Sequence, residues 1–122
     1  MVIAVVDDLL FSSKIRAVAS HTGTQIVFVR ERAAIVDAVR VNAPTLVIFD
    51  LDRDTLDPVG AIAEIRATDD LKDVRLVGFV SHVRADRIAA ARAAGATQVL
   101  ARSAFVATLD QLLISAESPA VS

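Results

Sequence analysis

Four aspartates near the ends of two apolar runs could support metal-dependent phosphoryl chemistry. Asp7 and Asp8 follow the first run, and Asp50 and Asp52 follow the third. Two carboxylates about 5 Å apart repel by roughly 3 kcal/mol at an effective dielectric near 20. If three of them converge, either the pKa of one carboxyl rises or a cation lies among them. An all-oxygen site of this kind suits Mg²⁺, and a carboxylate held beside the metal can attack phosphorus.

A purely structural role is the alternative for each of these aspartates. An aspartate at the end of a strand often caps the next helix or faces water. The pair Asp7 and Asp8 together with Asp50 favours a functional site, because the ends of central parallel strands meet at one edge of a sheet.

Short apolar runs alternate with stretches of helical periodicity along the chain. The runs predict five strands: Val2–Val6, Gln25–Val29, Leu46–Phe49, Leu76–Val80 and Gln98–Ala101. The periodic stretches predict five helices: Leu10–His21, Arg32–Asn42, Val59–Thr68, Arg84–Ala94 and Ala104–Ser115. This alternation implies parallel strands with right-handed crossovers, covered on both faces. The predicted fold class is α/β, a doubly wound five-stranded parallel sheet with five helices, in which ligands bind beyond the carboxyl ends of the strands.

The length and composition suit one small domain. The chain has 122 residues, 54% of them hydrophobic, and no cysteine, which excludes disulfides and thiolate chemistry. We expect residues 1–115 to form this domain and residues 116–122 to form a disordered C-terminal tail without an effector domain. His82 is interpreted as an ordinary loop histidine. A net charge of −2 and the lack of a long apolar run predict a cytoplasmic protein that binds neither nucleic acid nor membrane.

Four parts of the sequence resemble segments of a known family, the response-regulator receiver domains. Val5–Asp8 is similar to the family's acidic pair after strand one, and Leu46–Asp52 resembles the strand that presents its phosphoacceptor aspartate. Asp57 with the run Ile62–Arg66 resembles the continuation into the third helix, and Ala93–Ala96 resembles the turn before strand five. The resemblance covers essentially the whole chain and implies the flavodoxin-like (βα)5 receiver fold, as in chemotaxis regulators.

The resemblance implies a role for each aspartate of the site. Asp50 would accept a phosphoryl group from a histidine kinase or a phosphotransfer protein, and would also bind Mg²⁺. Asp8 would bind Mg²⁺ directly, Asp7 would hold a metal-bound water, and Asp52 would offer its backbone carbonyl to the metal. On repulsion alone, removing Asp7 or Asp8 should stabilise the metal-free fold.

The sequence departs from the family's pattern at three places. Receivers have a Thr or Ser after strand four that bonds the phosphoryl oxygen, whereas this chain has Val80, and the adjacent Ser81 is the candidate hydroxyl donor in its place. After strand five, Arg102 and Ser103 replace the family's Lys and Pro, so Arg102 is the cation expected to contact the phosphoryl group. Val99 occupies the family's aromatic switch position.

The function implied by the resemblance is that of an atypical stand-alone response regulator in a two-component phosphorelay. Such a domain is a signalling protein and not an enzyme, and its output would pass through an unidentified protein partner. A homodimer could form through the face of helix four, strand five and helix five. Two alternatives stay open: a phosphorylation-independent pseudo-receiver interaction module, and a haloacid-dehalogenase-like phosphohydrolase in which Asp50 is the nucleophile and Asp52 the general acid.

Overall fold

In the described part of the chain, five parallel strands form one sheet, and five helices cover its two faces. The computed structural model describes residues 1–81 and 84–117. The strands are β1 (Val2–Val5), β2 (Ile26–Val29), β3 (Leu46–Asp50), β4 (Arg75–Val80) and β5 (Gln98–Ala101). The helices are α1 (Leu9–Thr22), α2 (Ile35–Asn42), α3 (Pro58–Arg66), α4 (Ala85–Ala94) and α5 (Arg102–Glu117). The strand order β2-β1-β3-β4-β5, with every pair parallel, confirms the predicted doubly wound fold.

Alternate residues of the central strands feed two separate cores. Ile3 and Phe49 point to the core under α2, α3 and α4, whereas Ala4 and Ile48 point to the core under α1 and α5. Because both faces are covered, β1 is apolar at every position, and β3 is apolar at every position before Asp50. This burial explains why the sequence shows continuous apolar runs where a half-exposed strand would show alternation.

The predicted strand and helix limits differ from the observed ones by at most two residues, with one larger exception. The segment predicted as a single helix from Arg32 begins with a 3₁₀ turn, Arg32–Ala34, before α2. Two further 3₁₀ turns flank α3, at Asp54–Leu56 and at Asp69–Leu71. The first of them lies in the connection between β3 and α3, which carries Asp52 to Asp57.

The C-terminal helix continues past the predicted domain limit. The prediction ended the last helix at Ser115, but α5 extends to Glu117, and Ala116 is buried against the core under α1 and α5. The carbonyl oxygen of Ala116 also accepts a hydrogen bond from the Thr45 hydroxyl at 2.7 Å. The predicted disordered tail falls mainly on residues 118–122, which lie outside the described residues. Among the described helices, none is long and apolar enough to cross a membrane.

The central strands β1 and β3 bring the acidic segments together. Their register pairs Val5 with Phe49, so the residues that follow each strand lie at the same edge of the sheet. The strand order also reverses direction between β1 and β3, which is where ligands bind in open α/β sheets. The candidate site is therefore at the carboxyl ends of β1, β3 and β4.

Candidate functional site

Asp50 is the buried carboxylate of this edge. It is the last residue of β3, which extends one position beyond the predicted strand end at Phe49, and it is only 4% exposed. Its Oδ1 accepts a hydrogen bond from the backbone nitrogen of Asp52 at 3.0 Å. Burial raises the pKa of Asp50, and the neighbouring Asp52 carboxylate acts in the same direction. The Asp52 amide and the charges of Arg102 and Arg53 oppose this rise in pKa without cancelling it.

The position of Asp50 depends on close packing behind it. Leu51 is fully buried, and its backbone nitrogen donates to the carbonyl of Phe79 on β4 at 2.9 Å. A Cβ added at Gly78 would lie 2.8 Å from Cδ1 of Leu51. Only glycine therefore leaves room for this leucine, and the leucine fixes the backbone directly after the acidic residue.

Asp7 is paired with an arginine that the sequence analysis did not assign to the site. The Nε of Arg53 lies 2.5 Å from Oδ1 of Asp7, and the two side chains are 47% and 23% exposed. This hydrogen bond is the main reason why the pKa of Arg53 is raised, and the charges of Asp50 and Asp8 contribute as well. An arginine three residues after Asp50, inside the acidic segment Asp50–Asp54, was the signal that could have identified it.

Asp8 has the capping role that was the structural alternative for these aspartates. It is the N-cap of α1, and its Oδ1 accepts a hydrogen bond from the backbone nitrogen of Phe11 at 3.1 Å. The Phe11 amide lowers the pKa of Asp8, and the charges of Arg102 and Arg53 lower it further. A cap and a metal ligand are compatible roles, because a carboxylate has two oxygens and several lone pairs.

Arg102, the first residue of α5, lies on the other side of Asp8. Its guanidinium nitrogen is 3.7 Å from Oδ2 of Asp8, and its guanidinium carbon is 4.1 Å from the centre of the Phe11 ring. Phe11 packs on Phe79, whose ring stacks on Phe105 with centroids 4.6 Å apart. Stacking on an aromatic ring holds a planar guanidinium in place in a way that lysine cannot reproduce.

The predicted phosphoryl-contacting groups line one open cleft. The cleft has a volume of about 590 Å³. Its lining residues are Phe11, Lys14, Ser81, Arg102, Ser103 and Val106. Ser81 and Arg102, which the sequence analysis assigned to the phosphoryl group, therefore face the same space. His82 lies outside the described residues.

Ser81 contacts the acidic segment through its backbone. Its amide donates to Oδ2 of Asp52 at 2.7 Å, which ties the end of β4 to the connection after Asp50. Val80 and Val99 stand where receivers have a hydroxyl residue and an aromatic switch residue. They are 1% and 9% exposed and belong to the core under α2, α3 and α4. The apolar side chains at these two positions therefore serve packing.

Repulsion among the carboxylates of this edge was expected either to raise the pKa of one of them or to place a cation beside them, and both effects are present. The pKa of Asp50 is raised, and two cations, Arg53 and Arg102, lie beside Asp7 and Asp8. The oxygen donors are of the type that Mg²⁺ prefers. Within residues 1–81 and 84–117, however, no group of three or more His, Asp or Glu side chains is gathered closely enough to hold a metal ion. Metal ligation by Asp7, Asp8, Asp50 and the Asp52 carbonyl stays a prediction.

Comparison with solved structures identifies the fold. The chain superimposes with a TM-score of 0.85 on a response regulator from Hahella chejuensis, at 21% identity over 97% of this chain and 95% of that one. The chain has the receiver fold of response regulators. No protein-family model and no curated protein match the sequence.

Two further structures with the receiver fold are similar over nearly their whole length. The receiver domain of a sensor histidine kinase from Pseudomonas aeruginosa, with a magnesium ion coordinated in its active-site cleft, has a TM-score of 0.80 and 22% identity over 94% of each chain. The phosphorylated cyanobacterial phytochrome response regulator RcpA has a TM-score of 0.75 and 21% identity, over 96% of this chain and 90% of that one.

Proposed function

We propose that this chain is the receiver of a two-component phosphorelay and that Asp50 is its phosphoacceptor. The observation that carries the proposal is a buried carboxylate with a raised pKa at the switch point of a receiver fold. Perturbed pKa values of this kind cluster at functional sites. The charges of Arg102 and Arg53 act on this carboxylate, and Arg102 lines a cleft that can admit a donor.

The proposed reaction is a phosphoryl transfer to a carboxylate oxygen of Asp50. That oxygen forms a bond to phosphorus while the bond from phosphorus to the donor atom breaks, and the donor atom keeps the bonding electron pair. When the donor is a phosphohistidine, the imidazole nitrogen leaves and can take up a proton. Arg102 faces the same cleft, and its fork of donors suits phosphoryl oxygens.

A divalent cation is part of the proposal. When bound, it would neutralise charge on the phosphoryl oxygens and on the carboxylates, and Mg²⁺ is the expected ion. Asp8 and Asp50 are the proposed direct ligands, together with the Asp52 carbonyl, while Asp7 would hold a metal-bound water. The magnesium ion coordinated in the Pseudomonas receiver domain supports this assignment.

The proposed output is a change in binding to a protein partner. The phosphate donor would be a histidine kinase or a phosphotransfer protein, and a homodimer through the face of α4, β5 and α5 is one form that the output could take. This face carries a groove of about 360 Å³ on its β5–α5 side, lined by residues that include Arg75, Gln98 and Gln111. These partners are expectations from the receiver fold.

Incubation with acetyl phosphate and Mg²⁺, followed by intact-mass measurement, tests the proposal. The wild type should gain one phosphoryl group, Asp50→Asn should gain none, and removing Mg²⁺ with a chelator should suppress the gain. Asp54→Asn is the matched control, because it removes an exposed carboxylate from the same connection. Full labelling of Asp50→Asn, or no labelling of a folded wild type with any small donor, would contradict the proposal.

The phosphorylation-independent interaction module is the second candidate. The observation that favours it is the neutralisation of Asp7 and Asp8 by Arg53 and Arg102, which removes the electrostatic need for a bound cation. The absence of labelling in the mass experiment would support this candidate. The hydrolase alternative is disfavoured because Oδ2 of Asp52, its general acid, is already engaged by the backbone N–H of Ser81 at 2.7 Å.

A further inference from the structure

The strongest unassigned feature of the site is the ion pair between Arg53 and Asp7. At 2.5 Å, this charge-assisted hydrogen bond is shorter than the 3.7 Å contact between Arg102 and Asp8. The Arg53 charge also acts on Asp50 and Asp8, so one guanidinium interacts with all three carboxylates. Arg102 reaches Asp8 only at 3.7 Å and is held against the Phe11 ring instead.

The backbone around Arg53 keeps its side chain near the acidic residues. The amide of Leu56 donates to the Arg53 carbonyl at 3.1 Å, which makes Arg53 the residue from which the 3₁₀ turn Asp54–Leu56 begins. On the other side, the Ser81 amide holds the preceding residue, Asp52, through its carboxylate. Arg53 thus projects from a short connection that is fixed at both ends, and not from a free loop.

We propose that Arg53 is a resident counter-cation of the acidic edge, and that a divalent cation binds there only by displacing its guanidinium from Asp7. This inference rests on the proposed function, because it concerns the metal requirement of the same site. The contacts of Arg53 suit such an exchange: its side chain is half exposed and can move into solvent, and its partner Asp7 is itself accessible. Arg53 therefore raises the concentration of divalent cation that is needed to occupy the site.

The inference follows from competition for one carboxylate. A guanidinium and a divalent cation both gain from the negative charge of Asp7, Asp8 and Asp50, but the two positive charges repel each other when both lie beside these carboxylates. Metal binding therefore includes the cost of breaking the Arg53–Asp7 pair. In the metal-free protein, the same pair relieves the repulsion among the carboxylates, so Arg53 acts in opposite directions on the metal-free and metal-bound states.

Direct calorimetric titration of Mg²⁺ tests this competition. Arg53→Gln keeps much of the side-chain length but removes the charge, and should bind Mg²⁺ roughly twofold to fivefold more tightly than the wild type, as expected for an exposed ion pair. Arg53→Lys keeps the charge and should stay closer to the wild type. Arg40→Gln is the matched control, because Arg40 is 53% exposed and pairs with Asp37 on the distant α2. It should leave Mg²⁺ affinity unchanged.

Stability without metal provides a second readout that does not depend on metal binding. In a chelating buffer, Arg53→Gln should unfold at a lower denaturant concentration than Arg40→Gln, because only Arg53 neutralises three carboxylates. Equal Mg²⁺ affinity in the wild type and Arg53→Gln, or no Mg²⁺ binding by either, would overturn the inference.

The labelling experiment separates this inference from the proposed function. If acetyl phosphate labels Asp50 while Arg53→Gln leaves the Mg²⁺ affinity unchanged, the inference fails alone. If Arg53→Gln tightens Mg²⁺ binding but neither protein is labelled, the counter-cation stands and the phosphoacceptor role fails.

Discussion

The backbone nitrogen of Ser81 lies 2.7 Å from Oδ2 of Asp52 and joins the end of β4 to the connection that follows Asp50. A second contact runs parallel to it, from Arg87 on α4 to Oδ1 of Asp54 at 2.5 Å. In both contacts the acceptor is a carboxylate of the connection that follows the candidate phosphoacceptor strand. They give the acidic site a physical connection to α4 that does not need a hydroxyl group on Val80.

The first prediction tests this connection. Asp52→Ala removes the acceptor of the Ser81 amide and should accelerate hydrogen exchange at that amide by roughly threefold to tenfold, as expected for the loss of one charge-assisted hydrogen bond at an accessible position. Asp52→Asn keeps an acceptor oxygen and should exchange nearly as slowly as the wild type. Amide exchange measured by NMR checks both variants, and identical rates in all three proteins would mean that the Asp52–Ser81 bond does not persist in solution.

The second prediction concerns the pH dependence of stability. The folded pKa of Asp50 is raised above its ordinary value of 3.8, so the folded state holds this proton more tightly than the unfolded chain. Stability is therefore lost as the pH rises from 3.8 through the raised pKa, and at neutral pH the wild type carries the full penalty. Asp50→Asn cannot ionise and should be more stable than the wild type at neutral pH.

Urea denaturation at neutral pH and again below pH 3.8 measures the predicted difference. The advantage of Asp50→Asn should shrink at the acidic pH, where both states of the wild type are protonated. Asp70→Asn, at an exposed position, is the control and should show no comparable advantage. A wild type that is more stable than Asp50→Asn at neutral pH would contradict the burial argument.

The third prediction separates the two roles of Asp8. Asp8→Ala removes the N-cap of α1 and should lower the free energy of unfolding by about 1 kcal/mol, whereas Asp8→Asn keeps a capping oxygen and should lose much less. Both variants remove the carboxylate charge. Mg²⁺ should therefore raise their melting temperatures much less than that of the wild type. Thermal melts with and without Mg²⁺ measure both effects. Equal destabilisation by Ala and Asn would argue against the cap.

The fourth prediction concerns Val80 and Arg102, the positions where receivers have a hydroxyl residue and a lysine. Val80→Thr places a hydroxyl at a position that is 1% exposed, and should cost roughly 1–2 kcal/mol of stability in the absence of an anion. Combined with Arg102→Lys, it restores the family pattern and should enlarge the NMR response of α4 and β5 to Mg²⁺ and beryllofluoride. A wild-type response that is already as large would show that Ser81 or Arg102 performs the readout.

The fold was predictable because burial on both faces leaves a clear pattern in the sequence. The run Val2–Val5 has no polar residue since each of its side chains enters one of two cores. The same reasoning placed Asp7 and Asp50 at one edge, because the carboxyl ends of adjacent parallel strands coincide there. The missing hydroxyl at Val80 was found only by comparing the sequence with the pattern of receiver domains.

The ion pairs were not predictable from the same patterns. Whether Arg53 reaches Asp7, forty-six positions earlier, depends on the 3₁₀ turn that follows it, and no periodicity in the sequence marks that turn. The prediction that removing Asp8 would stabilise the metal-free fold considered repulsion only. The structure reverses the expected sign, because Asp8 caps α1 and Arg102 lies beside it.

The central claim is that the phosphoryl group is carried by the carboxylate of Asp50. Borohydride reduces an acyl phosphate to an alcohol, so labelled protein that is reduced, digested and sequenced by mass spectrometry marks the carrier as homoserine. Homoserine should appear at position 50 only in samples treated with acetyl phosphate and Mg²⁺. Homoserine at position 7, 8, 52 or 54 with an unmodified Asp50, or at none of them in a folded protein, would contradict the claim.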